Sequence, residues 1–370
     1  MFNITIIYNF ILNLIIFLFV LSILVLVHEF GHFIVAKKIG IRIEEFFLGL
    51  AGKKLFSKKK NGTEYGIRAL FIGGYVKLAG DNLEEYRGKP DEYLSKPPGK
   101  RFKIIFCGPL LNYILGFLFF WVIFFAGYPT LTTKVGGLID GFGAKEAGLE
   151  VGDKIIAVDN QKVLFWEDLQ KIIHSKKAAS KVSLSIFRDN KEKQIEVWIK
   201  QKQLSDPIGR KRSVGLLGIT PFDEIVKVRH GFWESFSLAI SKTYDLTVVT
   251  YQGLWRVVTG QLSVRESITG PLGIFYITSK VASMGIIAVL HLIAVLSISL
   301  AIFNLLPLPI LDGGHIALLG LEKIRGKPIT VKTERIITQV GFTLIATLAI
   351  LVTLNDFLRL FGDKVSKFIK

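Results

Sequence analysis

The stretch Ile11–His32, ILNLIIFLFVLSILVLVHEFGH, joins an almost uninterrupted apolar run to a pair of histidines at positions 28 and 32. On a helix, positions i and i+4 lie on one face, so His28 and His32 point the same way. Two imidazoles at that spacing hold one zinc ion, with the intervening Glu29 beside a water. In a soluble chain this pattern reads as a zinc peptidase helix, and the plainer alternative is a pair of surface histidines at a helix end. Its position at the end of a membrane-length run decides the matter. Ionisable side chains at bilayer depth are costly and as a rule functional.

Half of the 370 residues are hydrophobic and the mean hydropathy is +0.45, high for a soluble protein. Apolar spans are expected near Ile6–Ala36, Ile104–Ala126, Ile286–Leu306 and Ile336–Leu354, each near or above the ~20 residues a crossing needs. The first lacks the basic n-region and small-residue cleavage site of a signal peptide, so His28 is expected in the mature protein. The net charge of +17 raises nucleic acid as a partner, but its distribution argues against one. Lys and Arg crowd Lys37–Lys103 and Lys323–Arg335, and both stretches belong in the cytoplasm by the positive-inside rule. Four crossings then put both termini and the segment Tyr128–Gly285 outside, an arrangement the basic tail (Arg359, Lys364, Lys367, Lys370) fits less well. Cys107 is the only cysteine, which excludes a disulfide framework and Cys-rich zinc sites; it reads as a small buried hydrophobe.

After the first span, Tyr65–Leu78 reads as strand, Gly73-Gly74 turn, strand: a β-hairpin apolar enough to dip into the membrane against protein. Gly108-Pro109-Leu110-Leu111-Asn112 opens the second span. Its small residues allow close helix packing, and Asn112 needs a polar partner, either structural or at the active site. Lys134–Gln201 has soluble composition. Ala144, Ala147-Gly148-Leu149, Gly152-Asp153 and Ile155, with a helix over Phe165–Ile173 and strands over Lys181–Arg188 and Gln194–Ile199, resemble a circularly permuted bacterial PDZ domain. Such a domain takes an extended peptide by strand addition and nests its carboxylate, here near Gly136, Gly137 and Leu138. From Phe232 to Thr259 an amphipathic helix is expected on the outer membrane face, with Trp233, Tyr251 and Trp255 as anchors.

Phe303-Asn304-Leu305-Leu306-Pro307-Leu308-Pro309-Ile310-Leu311-Asp312-Gly313-Gly314-His315 is the second decisive segment. Two prolines break the third span, and Asp312 falls just past the break, at a depth comparable to the histidines. Catalytic zinc typically takes three protein ligands and keeps one position for water. Asp312 supplies the missing carboxylate; an N-cap role is the alternative for it, and His315 is a rival ligand.

H-E-F-G-H in a first span and N-L-L-P-L-P-I-L-D-G-G-H in a later one resemble the site-2 protease family of intramembrane zinc metalloproteases. With a PDZ domain between the second and third spans, the chain is similar to the bacterial regulator of sigma-E protease group in its single-PDZ form. The resemblance implies a polytopic α-helical protein of about four transmembrane helices with a membrane-associated β-hairpin and one extramembrane α+β PDZ domain. The expected divisions are 1–133, the first membrane half; 134–201, the PDZ domain; 202–285, an amphipathic membrane-surface region; and 286–370, the second membrane half. One zinc ion per chain is expected on His28, His32 and Asp312, with Glu29 as the catalytic base. Asn304 and the Gly73-Gly74 segment are expected to hold substrate. The implied substrates are single-pass membrane proteins of the anti-sigma-factor or signal-peptide-remnant type, shortened first by a site-1 type protease. The setting is the bilayer of a bacterial inner membrane, with the PDZ domain outside and the zinc residues towards the cytoplasm. The well-studied Gram-negative members carry two tandem PDZ domains and this chain has room for one, which leaves substrate gating open. Two rivals stand beside the protease. An inactive PDZ membrane scaffold makes Glu29 dispensable. A metal transporter needs polar residues on several spans, and the fourth offers almost none.

Overall fold

A computed structural model describes residues 4–49, 51–70, 73–176, 180–205, 211–263, 268–327 and 329–368. Its contacts divide the chain into two units, Met1–Ile123 with Phe236–Lys370, and Phe124–Ser235. Among the described residues four helices contain stretches long and apolar enough to cross a membrane: Thr5–Ile39, Pro98–Ala126, Ile286–Asn304 and Arg335–Arg359.

The first unit is built on helix α1 (Ile4–Ile39), apolar around its whole circumference until its last turns. It stops at Gly40, whose φ of +75° is the left-handed conformation that commonly ends helices. Val20 and Leu24 of α1 are buried with Ile293, against Leu115 and Phe119 of helix α2 (Pro98–Ala126). Three of these helices therefore share one interior.

Four strands follow α1: β1 (Ile43–Leu48), β2 (Ala51–Lys60), β3 (Thr63–Leu70) and β4 (Gly74–Leu78), in the spatial order β2-β3-β1-β4. β3 runs parallel to β1, and β4 pairs with β1 in antiparallel register, Leu48 opposite Gly74. This corrects the expected Tyr65–Leu78 hairpin, because β1 lies between the two strands that were to pair. Phe47 of β1 is fully buried, and the strand that carries it gains a partner on both edges. The tight turn lies instead at Asn61-Gly62, both with positive φ, joining β2 to β3. Gly73 closes the β1–β4 register by accepting from the Gly49 N–H at 2.8 Å; Phe71 and Ile72 lie outside the described residues.

Two helices of this unit flank a break. Helix α7 (Ile286–Asn304) ends before the two prolines, and helix α8 (Asp312–Arg325) begins at the aspartate. Between them Leu311 N–H bonds back to the Leu308 carbonyl at 3.1 Å. Pro309 and Ile310 are the central residues of that turn, and Ile310 has φ +84°. A β-branched residue rarely adopts this conformation, normally left to glycine in a turn with proline first. A Cβ on Gly313 would strike the Leu305 and Leu306 carbonyls, and one on Gly314 the Leu308 carbonyl. The two glycines thus let α8 start directly on top of the break. Helix α9 (Val331–Phe368) closes the chain. Its Asp356, almost fully buried, accepts from Gly273 N–H at 2.8 Å in the first turn of helix α6 (Pro271–Ala282).

The second unit has a four-stranded antiparallel sheet of β7 (Lys154–Val158), β8 (Gln161–Lys162), β9 (Lys181–Arg188) and β10 (Lys191–Trp198), ordered β10-β9-β7-β8. Helices α3 (Gly143–Glu146) and α4 (Trp166–Ser175) accompany it, and Ala144, Trp166, Leu169 and Ile173 pack with Ile155, Leu184 and Ile186 in one core. Its extent is wider than the 134–201 expected. β11 (Lys200–Ser205) pairs with β12 (Lys211–Leu216); β13 (Ile219–Pro221) returns to β6 (Val135–Leu138), and β14 (Ile225–Val228) to β5 (Tyr128–Leu131). Residues 211–228 therefore supply strands to this unit, where an amphipathic membrane-surface region was expected over 202–285. The expected helix is present further on, as α5 (Phe232–Val258), with Trp233, Tyr251 and Trp255 exposed.

Candidate active site

Helical spacing on α1 sets the two imidazoles edge to face, with His28 Nε2 3.1 Å from His32 Nε2. Asp312, at the start of α8, brings Oδ2 to 3.0 Å from the first and 3.6 Å from the second. These three are the group of potential metal ligands among the described residues, their donor atoms all within 4.8 Å of one another. His315, the rival ligand, lines the same cavity but stands outside the group. Asp312 is the first residue of its helix and Leu311 the N-cap, so the capping alternative does not describe it.

Helix α2 is pressed close to this face of α1. A Cβ on Gly31 would meet the Cys107 carbonyl, and one on Gly108 would meet both imidazoles. His32 Nδ1 lies 2.9 Å from the Ile104 carbonyl. A carbonyl only accepts, so Nδ1 carries the proton and the Nε2 lone pair faces Asp312. Lone-pair nitrogen and carboxylate oxygen this close repel one another unless a proton or a cation lies between them. Two imidazoles and one carboxylate are a donor set of catalytic zinc sites, so the residues present fit a zinc ion.

Glu29 belongs to no part of that group. Its Oε2 accepts from Val76 N–H at 3.1 Å. β4 is an edge strand of its sheet, so this bond ties the glutamate to the strand's unpaired side. Gly74 is close as well; a Cβ there would lie 3.8 Å from Glu29 Cγ. Asn304, the last residue of α7, has Nδ2 3.5 Å from His28 Nδ1, and Asn112 has the same relation to the same atom.

All of this opens into a cavity of about 770 Å³. Its lining also includes residues that motif reading missed: Asp81, Tyr86 and Tyr93 from the segment after β4, and the ion pair of Arg101 with Glu322 at 2.9 Å. Burial holds the Asp81 carboxyl above the ordinary carboxylate value. These positions follow no spacing rule; only the folded segment brings them to the cavity that His28, His32 and Asp312 line.

Gly136, Gly137 and Leu138 are placed differently from expectation. They lie in β6, where Thr220 and Ile219 pair with Gly137 and Leu138, and a Cβ on Gly136 would strike the Pro221 carbonyl. The cleft of that unit, about 90 Å³, lies between α4 and the segment Leu216–Ile219, with Ile139 and Phe142 at its side. Gly136, Gly137 and Leu138 thus stand beside that cleft, next to Ile139, and are not among the residues that line it.

The model of peptidase family M50 matches residues 16–348. The zinc metalloprotease RasP of Oceanobacillus iheyensis is 30% identical over 425 residues, covering 93% of this chain and 98% of its own. The protease eep of Enterococcus faecalis is 30% identical, over 94% of this chain and 99% of its own length. Among solved structures, the PDZ domain of an SdrC-like protein from Listeria innocua aligns with 25% of this chain and 96% of its own, at 23% identity and a TM-score of 0.20.

Proposed function

The chain belongs to peptidase family M50, the site-2 protease family, and from that premise we propose that it is an intramembrane zinc endopeptidase. It cuts a peptide bond within the transmembrane segment of single-pass membrane proteins. The observation that carries this reading is the meeting of His28, His32 and Asp312 beside Glu29, on helices whose composition suits a bilayer.

His28, His32 and Asp312 hold one zinc ion per chain. The chemistry that zinc supplies when bound there is Lewis acidity, which acidifies a water and polarises the scissile carbonyl. Glu29 takes the proton of the attacking water and delivers it to the leaving amine. Val76 N–H engages Oε2, which leaves Oε1 turned to that task. Asn304, on the cavity wall, donates to the substrate backbone or to the developing oxyanion. A helical substrate hides its carbonyls and has to unwind. The outer edge of β4 beside Gly73 and Gly74 receives the unwound strand by main-chain pairing, which aligns it with Glu29.

The basic segments Lys37–Lys103 and Lys323–Arg335 face the cytoplasm of a bacterial cell membrane and the PDZ-type unit the other side, by the positive-inside rule. Single cysteines at Lys59 and Lys171, with Cys107 replaced, test this; labelling of 59 but not 171 by an impermeant reagent would invert it. The PDZ-type unit selects substrates already shortened by another protease. The test of function is co-expression with tagged single-pass proteins, comparing wild type with Glu29→Gln. Cleavage by wild type alone is expected, and equal cleavage by both would favour a non-enzymatic scaffold.

A further inference from the structure

Resting on the zinc reading above, we infer that Asn112 is a positioning residue: the amide that accepts the proton of His28 Nδ1 and so fixes that ring for metal binding. Three observations lead there. His28 presents Nε2 to His32 and Asp312, so a metal takes that nitrogen and the ring's proton must sit on Nδ1. A ligating imidazole is held in orientation by an acceptor on its other nitrogen. Among the described residues, two side chains lie within hydrogen-bond reach of Nδ1, Asn112 and Asn304, each with Nδ2 at 3.5 Å.

Both amides turn Nδ2, a donor, towards a nitrogen that must itself donate. An amide half-turn exchanges the two ends at no cost in volume, since oxygen and nitrogen of the amide are nearly the same size. Asn112 is the one built to make that turn. It is fully buried at 0% exposure, and its Oδ1 has no hydrogen-bond partner among the described residues. An acceptor without a donor and a ring proton without an acceptor thus lie at the two ends of one side chain. Asn304 is only partly buried and lines the cavity, where substrate can claim its amide.

The backbone around Asn112 supports this assignment. Gly108, one turn earlier, lets α2 pass directly over both imidazoles. Ser297 Oγ–H donates to the Asn112 carbonyl at 2.8 Å, tying α7 to the same turn. Gly116, one turn later, leaves no room for a Cβ against the Ala294 carbonyl. Asn112 therefore sits between two close helix contacts, with little freedom to do anything but face His28.

The experiment is zinc affinity by competition with a chromogenic chelator, on purified full-length wild type, Asn112→Leu, Asn112→Asp and Asn304→Leu. Loss of a partner of this kind weakens metal binding roughly ten- to hundredfold. That loss is expected for Asn112→Leu. Asn112→Asp, which keeps an acceptor of the same shape, should stay within about threefold of wild type, as should Asn304→Leu, a change that leaves the acceptor at Asn112. Wild-type affinity in Asn112→Leu would overturn the inference. So would equal weakening in the Leu and Asp variants, which would make Asn112 a packing residue, or weakening confined to Asn304→Leu. Should Asn112→Leu fail to fold, Asn112→Ala carries the same comparison. Wild type without zinc would instead refute the metal reading itself, so the two failures are distinct.

Discussion

The Val76 N–H donates to Glu29 Oε2 at 3.1 Å, so the residue we propose as the acid–base group is fastened to the strand edge that we propose receives the substrate. Position of the base and position of the peptide are then set by one piece of backbone. A hydrogen bond to a charged group contributes about 1.5–3 kcal/mol, and this one acts on the geometry of proton transfer.

Val76→Pro removes that donor. The N–H points away from β1, so the sheet loses no ladder bond, and proline is tolerated on a strand edge. Turnover should fall by roughly tenfold to a hundredfold, the kinetic equivalent of that bond, while zinc content stays at the wild-type level. Unchanged turnover would separate Glu29 from the strand.

Gly108→Ala tests the packing of α2 on the metal face. The added methyl would sit against His32 Nε2 and 2.9 Å from His28 Cε1, so a ring has to move. Zinc affinity should drop by at least about tenfold, measured by chelator competition. Retained affinity would mean that the helices separate without disturbing the rings.

In the second unit, Arg188 meets the buried Asp153 through two bonds of 2.6 Å, and Glu150 N–H adds a third at 2.8 Å. Burial alone raises the Asp153 carboxyl, but these bonds outweigh it and hold the group below its ordinary value. The stabilisation is therefore complete above the unfolded value near ~4 and is lost as pH falls through the lower folded one. Asp153→Asn should destabilise the unit by about 3 kcal/mol at neutral pH, read as faster hydrogen exchange at Ile155 and Ile186. The gap to wild type should shrink by about pH 3. A gap that does not change between the two pH values would rule out ionised Asp153 as its source.

The parts of the site legible in the sequence were those set by local periodicity. His28 and His32 share a helix face by spacing alone, and Asp312 stands out because prolines end an apolar run just before it. Composition gave the helices, since a run such as Val20–Val27 can only be buried or lipid-facing. Long-range pairing was not legible. β1 intervenes between β3 and β4 through a parallel contact that no turn signal announces, and the Asn61-Gly62 signal, which does mark a hairpin, went unread. Likewise 211–228 falls within the expected membrane-surface region 202–285, because its strands complete a distant sheet edge at 128–138 that no local signal marks. Ile310 is the opposite case. Its left-handed backbone contradicts the residue's own preference, so local reasoning sees only a break there. The Asp312 carboxylate is aimed from a turn whose form is imposed by Gly313, Gly314 and the helices packed on them.

The most direct measurement of the account is zinc content together with hydrolysis of a single-pass substrate, on purified wild type and four variants. Wild type should carry about one zinc per chain, the number a three-ligand site holds, and should cut. His28→Ala, His32→Ala and Asp312→Ala should lose both metal and cleavage, because each removes one of three ligands. Glu29→Gln should keep its zinc and lose cleavage, because Glu29 is bound to Val76 and not to the metal group. Full zinc occupancy in Asp312→Ala, or wild-type cleavage by Glu29→Gln, would contradict the account.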